Sequence, residues 1–92
     1  MKPVELPAAF RKLLRPLSKK ERKRIGLALR AVEQAYGQPH LHRGLGLREL
    51  PKGCVEVRVG LAQRIVLRVT RDALVCEMIG THDEVQRFLR NL

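Results

Sequence analysis

Between Cys54 and Ile79 three stretches alternate apolar residues with others, and Glu56, Arg58, Arg64, Arg68 and Glu77 are the charged residues within those stretches. Read as strands at about 54–59, 63–70 and 73–79, these five side chains fall together on one face. Val55, Val57 and Val59 must share the other face with Ile65, Leu67 and Val69. That needs an odd loop between them, most simply Gly60-Leu61-Ala62. Arg58 then stands opposite Arg64, and Glu56 opposite Val66. Like charges directly across a sheet repel, so something must offset them. One answer is a self-neutralising network with Glu56 and Glu77. The other is a bound phosphate, whose oxygens match the forked donors of guanidinium groups. Glu56 has two readings as well: a general base, or an ion-pair partner of Arg58 or Arg68.

His82 follows the last strand within Gly80-Thr81-His82-Asp83-Glu84. It is a candidate to transfer a proton, or a residue that merely helps to cap the helix after it. His40, His42 and Arg43 lie in a glycine-containing loop, either contacting a polyanion or serving as ordinary loop residues. Lys52 sits in the turn Pro51-Lys52-Gly53. The run Lys19, Lys20, Arg22, Lys23, Arg24 is a solvated helix face or a docking patch for RNA. Phe10, Tyr36 and Phe88 all fall on apolar stripes, which leaves base stacking on aromatics a weak option.

The elements that position these residues read as follows. Phe10, Leu13, Leu14 and Leu17 form one helical stripe, with Pro7 in the first turn and Pro16 ending it. Ser18 with Glu21 makes a capping box for a second helix. Its buried stripe is Ile25, Ala28, Leu29, Val32, Ala35 and Tyr36, and Gly37 and Pro39 stop it. Residues 38–46 read as a loop and 47–50 as a short strand. A turn around Arg71-Asp72 sets Val69 opposite Leu74, Leu67 opposite Cys76, Ile65 opposite Met78 and Arg64 opposite Ile79. Thr81 with Glu84 is a second capping box, for a closing helix striped by Val85, Phe88, Leu89 and Leu92. The fold class is α+β: an N-terminal helical hairpin and a C-terminal helix on the apolar face of an antiparallel sheet of three to four strands.

Ninety-two residues with 45% hydrophobic content suit one domain, 1–92. Nineteen Lys and Arg against nine Asp and Glu leave a net charge of +10, which favours a polyanionic partner. Cys54 and Cys76 point to opposite faces by strand parity, so no disulfide is expected between them. No Cys/His spacing resembles a zinc site, and no metal or small-molecule cofactor is expected. No run approaches membrane-spanning length and the start has no apolar leader, so no membrane association is expected. The compartment expected is a reducing cytoplasm.

The order of helical hairpin, Leu-Arg-Glu-Leu-Pro-Lys-Gly (47–53), Val-Glu-Val-Arg-Val (55–59), Gln-Arg-Ile-Val-Leu-Arg-Val (63–69) and Ile-Gly-Thr-His-Asp-Glu (79–84) resembles the RelE/ParE toxin superfamily. The likeness is strongest to RelE-type mRNA interferases related to YafQ and YoeB, and runs from about Phe10 onward. It implies a toxin of a type II toxin–antitoxin pair that cuts mRNA in the ribosomal A site. In that reaction the 2′-hydroxyl attacks the adjacent phosphate without a metal. The implied partners are a cognate antitoxin, mRNA and the ribosome. Arg64 matches the phosphate-stabilising arginine, Arg58 the arginine of the preceding strand and His82 the proton shuttle. Glu56 matches a family position loosely. Arg68, His42, Arg43 and Lys52 are the expected RNA contacts. The chain departs from the pattern at Leu67, where tyrosine is frequent, and at Gly80, where some members carry arginine. Gln86 or Asp83 occupies the region of a base-stacking aromatic. The alternative within the resemblance is a non-nuclease member, a ParE-like gyrase inhibitor or an inactive RNA-binding relative.

Overall fold

A computed structural model describes residues 2–92. The elements in chain order are β1 (Val4–Glu5), α1 (Ala8–Leu14), α2 (Lys19–Ala35), α3 (Pro39–Leu45), β2 (Leu47–Leu50), β3 (Cys54–Val59), β4 (Gln63–Val69), β5 (Leu74–Gly80) and α4 (His82–Arg90). Both capping boxes form. Ser18 Oγ accepts from Glu21 N at 3.1 Å while Glu21 Oε1 accepts from Ser18 N at 3.3 Å. Thr81 and Glu84 repeat the exchange at 3.2 and 2.8 Å. Each satisfies two backbone N–H groups that a helix start otherwise leaves open. Pro7 is the N-cap of α1, one position before the first helical turn.

The sheet has five strands in the order β1-β5-β4-β3-β2. It is mixed, not purely antiparallel, because β1 runs parallel to β5, with Val4 opposite Leu74. Two residues are too few to show a strand period; the resemblance implied a first strand that is short or missing, with Val4-Glu5-Leu6 alone able to form it, and the structure has the short one. It is held from outside the ladder too: Val4 N donates to Glu33 Oε2 at 2.7 Å. A second difference is α3, a helix where a loop was expected. Its end signals were present, Pro39 at the start and Gly46 with φ 66° just after the end, but Gly44 and two histidines hid them.

The register of β3 on β4 is the one parity requires, with Arg58 opposite Arg64 and Glu56 opposite Val66 across the loop Gly60-Leu61-Ala62. Between β4 and β5 the expected pairing holds at Val69–Leu74 and Leu67–Cys76, then slips by one residue at a bulge. Val66 faces Met78, Ile65 faces Ile79 and Arg64 faces Gly80. Glu77 is the extra residue. Period two breaks there, so Met78 turns to one face and Ile79 to the other.

The first face packs under α1 and α2. Phe10, Ile25, Leu29 and Val32 meet Val55, Val57, Val59, Ile65, Leu67, Leu74 and Cys76. Leu13 on the predicted α1 stripe is 45% exposed and Leu92 on the α4 stripe 53%, so both stripes are narrower than periodicity suggested. The closing helix does not join this layer. Val85, Leu89 and Phe88 of α4 pack with Cys54, Val66, Met78 and Leu50 on the opposite face. The expected single apolar face is thus two, and the charged face is half apolar. Burying side chains such as Val66 and Val85 contributes roughly 1.5–3 kcal/mol each, enough to settle α4 there. Cys54 and Cys76 are free, buried and in different clusters.

Candidate functional site

The face that carries α4 also carries the charged cluster. Arg48 on β2 stands opposite Glu56 on β3. Arg64 on β4 stands two residues along from Val66, the partner of Glu56, and reaches Glu56 diagonally. Both arginines end on one atom. Glu56 Oε1 accepts from Arg48 Nε at 2.8 Å and from Arg64 Nη1 at 2.9 Å. Glu56 is 2% exposed, while the two guanidinium-bearing side chains are 56% and 22% exposed. A carboxylate taken out of water needs such partners. Its second oxygen, Oε2, is buried and takes no hydrogen bond from another protein group.

The ion pairs are not those expected from the sequence. Glu56 binds neither Arg58 nor Arg68. Arg68 Nε pairs with Glu77 Oε1, on the bulge residue. Among the described residues Arg58 makes no ion pair, and it is exposed. Its side chain lies against Gly46, where an added Cβ would come within 3.0 Å of Arg58 Cβ. Glycine there lets α3 end close against β3 and clears a path for Arg58. Repulsion between Arg58 and Arg64 is relieved because Arg64 is drawn towards Glu56.

His82 is the first residue of α4, exposed, on the side of the sheet that carries Arg64. The bulge sets Gly80, two residues before it, directly opposite Arg64. A Cβ at Gly80 would meet Glu84 Cβ and Oε1 at 3.0 Å and Met78 Cε at 3.1 Å, so glycine there permits α4 to turn back tightly over the sheet.

Three of the four predicted RNA contacts are engaged elsewhere. Lys52 Nζ donates to Leu89 O at 2.9 Å and Leu92 O at 3.1 Å, closing carbonyls at the end of α4, where a cation is favoured. Its backbone has φ 64°, a left-handed conformation that costs a non-glycine residue about 1–2 kcal/mol; the two charge-assisted hydrogen bonds offset it. Arg68 is held by Glu77. His42 lies in α3, its Nε2 3.1 Å from Ala35 O, and Arg43 is exposed on the same short helix. That helix packs on α2, in the layer across the sheet from Arg64. Arg22 of the basic run donates to Leu17 O at 2.9 Å and secures the turn between α1 and α2.

Arg48 is the residue that sequence reasoning missed. The signal was available: the three-residue turn 51–53 makes Leu50 pair with Cys54, and alternation then brings Arg48 to Glu56.

Beside this cluster, and sharing Arg48 with it, is an open cleft of about 440 Å³ between β2 and α4, lined by Arg48, Glu49, Leu50, Pro51, Lys52, Gln86, Leu89 and Arg90. No group of three His, Cys, Asp or Glu side chains able to hold a metal occurs among the described residues. No helix of the described residues is long and apolar enough to cross a membrane.

The architecture that frames this site recurs in a solved structure. A chain of the RelB–RelE antitoxin–toxin complex from Methanococcus jannaschii matches with a TM-score of 0.61 over 90% of this chain and 95% of that chain, at 20% sequence identity. The likeness extends over the whole α+β framework, so the fold is of the kind seen in that complex. No protein-family model matches the chain, and no curated protein matches it.

Proposed function

We propose that this protein is the toxin of a type II toxin–antitoxin pair and an endoribonuclease that cuts ribosome-bound mRNA. The observation that carries the reading is the buried Glu56 gripped by Arg48 and Arg64 on a basic sheet face. A fold shared with a chain of an antitoxin–toxin complex supports it. The YafQ- and YoeB-like branch belongs to the same proposal.

In this mechanism Arg64, helped by Arg58, binds the scissile phosphodiester and stabilises the extra negative charge of the transition state. Glu56 fixes the Arg64 guanidinium, and its carboxylate takes the proton of the 2′-hydroxyl. The 2′-oxygen forms a bond to phosphorus, the bond from phosphorus to the 5′-oxygen breaks, and His82 gives that oxygen its proton. The products are a 2′,3′-cyclic phosphate and a 5′-hydroxyl. The compartment is the cytoplasm, where ribosomes and mRNA are. The partner antitoxin offers an acidic segment to this face, in a complex weakened by salt.

One observation favours a second reading, a non-nuclease member acting on gyrase or only binding RNA. Oε1 of Glu56 holds both neighbouring arginines, and the carboxylate is closed to solvent. The deciding experiment is cleavage of ribosome-bound mRNA in EDTA by wild type, Arg64→Ala and His82→Ala. Wild-type cutting with losses of about a hundred- to ten-thousand-fold in each variant is expected. Metal-dependent cutting rejects the mechanism, and equal rates in wild type and His82→Ala remove His82 from it. Growth arrest on expression without any RNA cleavage selects the second reading.

A further inference from the structure

On the charged face Arg58 is the arginine that no carboxylate holds. Among the described residues Glu56 takes Arg48 and Arg64, Glu77 takes Arg68, and Arg58 makes no ion pair. An exposed arginine without a partner has many rotamers open to it, so its direction comes from its immediate neighbours. On one side it stands opposite Arg64, whose like charge pushes it away. On the other side the β2–β3 ladder starts at Leu47 opposite Val57, and the next residue out, Gly46, lies beside Arg58. A Cβ built on Gly46 would stand 3.0 Å from Arg58 Cβ, 3.8 Å from its backbone N and 3.9 Å from its Nε. Both ends of the arginine stem thus border one point, and the stem runs over the bare glycine through space that a side chain at 46 would fill. Gly46 is also the C-cap of α3, with φ 66°, so the left-handed end of that helix fixes where the space lies.

We propose that Gly46 is a positioning residue: by leaving its side-chain space to Arg58, it turns that guanidinium away from Arg64 and sets the spacing of the two on the RNA phosphate. This rests on the RNA-cutting reading and adds to it what aims Arg58. Arg64 is aimed by a carboxylate and Arg58 by an absence of bulk. Both directions are set before RNA arrives, which leaves less ordering to be done on binding.

The test is a double-mutant cycle in the full chain. Gly46→Asn introduces a residue that tolerates left-handed backbone but brings a Cβ against Arg58. Gly37→Asn is the control, because φ is 88° there and an added Cβ meets nothing within 4 Å. Cutting of ribosome-bound mRNA, and binding of a 2′-O-methyl RNA hexamer that cannot undergo 2′-attack, are measured for wild type, both glycine variants, Arg58→Ala, and Arg58→Ala combined with Gly46→Asn. Gly46→Asn is expected to slow cutting by about ten- to a hundredfold, the scale of misplacing a group by about 1 Å, and to weaken hexamer binding. Gly37→Asn should match wild type, and Gly46→Asn should change nothing further once Arg58 is alanine. A defect of the fold would act in both backgrounds. Equal losses from Gly46→Asn with and without Arg58, or wild-type behaviour of Gly46→Asn, therefore overturn the proposal and leave RNA cutting intact. If wild type binds the hexamer but cuts nothing, the cutting reading falls, and the binding arm of the cycle decides on Gly46 by the same criterion. Wild type that neither cuts nor binds RNA overturns both.

Discussion

Replacing Glu56 by leucine separates what holds the fold from what serves the site. Glu56 is 2% exposed and its removal deletes two ion pairs. The pair with Arg48 involves a side chain 56% exposed, so Arg48 rehydrates when released and that loss is about 0–1 kcal/mol. Arg64 is 22% exposed, and its charge-assisted hydrogen bond contributes about 1.5–3 kcal/mol. Against these stands Oε2, buried and unpartnered, whose desolvation already costs about 1–3 kcal/mol and vanishes with the carboxylate. Leucine also adds apolar burial beside Val66. The terms nearly cancel because neither arginine is left as a fully buried, unpaired charge, the case in which losing one partner is most costly. The expected result is a stability within roughly 1 kcal/mol of wild type, a melting shift inside about 4–8 °C for a chain of this size. Cutting, or RNA binding if no cutting occurs, should fall by about a hundredfold or more because Arg64 is no longer aimed. Thermal melting followed by circular dichroism gives the first quantity and the RNA assay the second. A loss above about 4 kcal/mol would show that the cluster is chiefly a stabiliser. A folded Glu56→Leu protein with full RNA activity would refute its functional role.

The carboxyl of Glu84 is held below its ordinary value of 4.5, first by the backbone N–H of Thr81 and then by the Thr81 side chain; desolvation opposes them, and the charge of Arg87 adds a lesser lowering. A lowered folded-state pKa contributes stability above the unfolded value that is lost as pH falls through the folded one. The melting temperature should therefore drop on acidification below about pH 4.5, less steeply in Glu84→Gln; identical slopes would contradict this. Burial, then the charge of Glu77, pushes the Cys76 thiol up to about 12, and burial chiefly raises Cys54 as well. Neither should react with a disulfide reagent at pH 8 except after unfolding, and prompt release by the native protein would count against the packing described. Deleting a strand residue normally turns every later side chain to the wrong face. Deleting Glu77 should instead regularise the ladder, since Met78 and Ile79 already oppose Val66 and Ile65. The variant should fold with a loss of order 1–2 kcal/mol, read by melting; a chain that cannot fold would show that the bulge itself is required.

Legibility from sequence was a matter of range. Both capping boxes span four residues and were readable as written. So was the β3–β4 hairpin, where Val55 to Val59 and Ile65 to Val69 must share a face across an odd loop. The pairing Arg48–Glu56 lay within the same reach, through the turn 51–53, but only if β2 is registered on β3. Beyond that reach the reading slipped by one residue: alternation continued past Cys76 put Ile79 opposite Arg64, and the bulge puts Gly80 there. Lys52 and His42 were read as candidate RNA contacts because what they bind, the ends of α4 and α2, lies far away in the chain or one helix back.

The sequence by itself determined the α+β class, the four strands β2 to β5, the caps of α2 and α4, the facing of Arg58 and Arg64, and the basic character of the molecule. These follow from side-chain direction, which repeats every two residues in a strand, and from hydrogen bonds closed within one turn. Only the tertiary structure decided which carboxylate holds which arginine. Glu56 has Arg48, Arg58, Arg64 and Arg68 as cross-strand, diagonal or same-strand neighbours, and the choice among them turns on the register of β2 and on Glu77 claiming Arg68. The tertiary structure also decided that α4 covers the charged face. Its apolar stripe could have met either side of the sheet, and Cys54, Val66 and Met78 form a matching apolar strip only once the bulge has turned Met78 towards it.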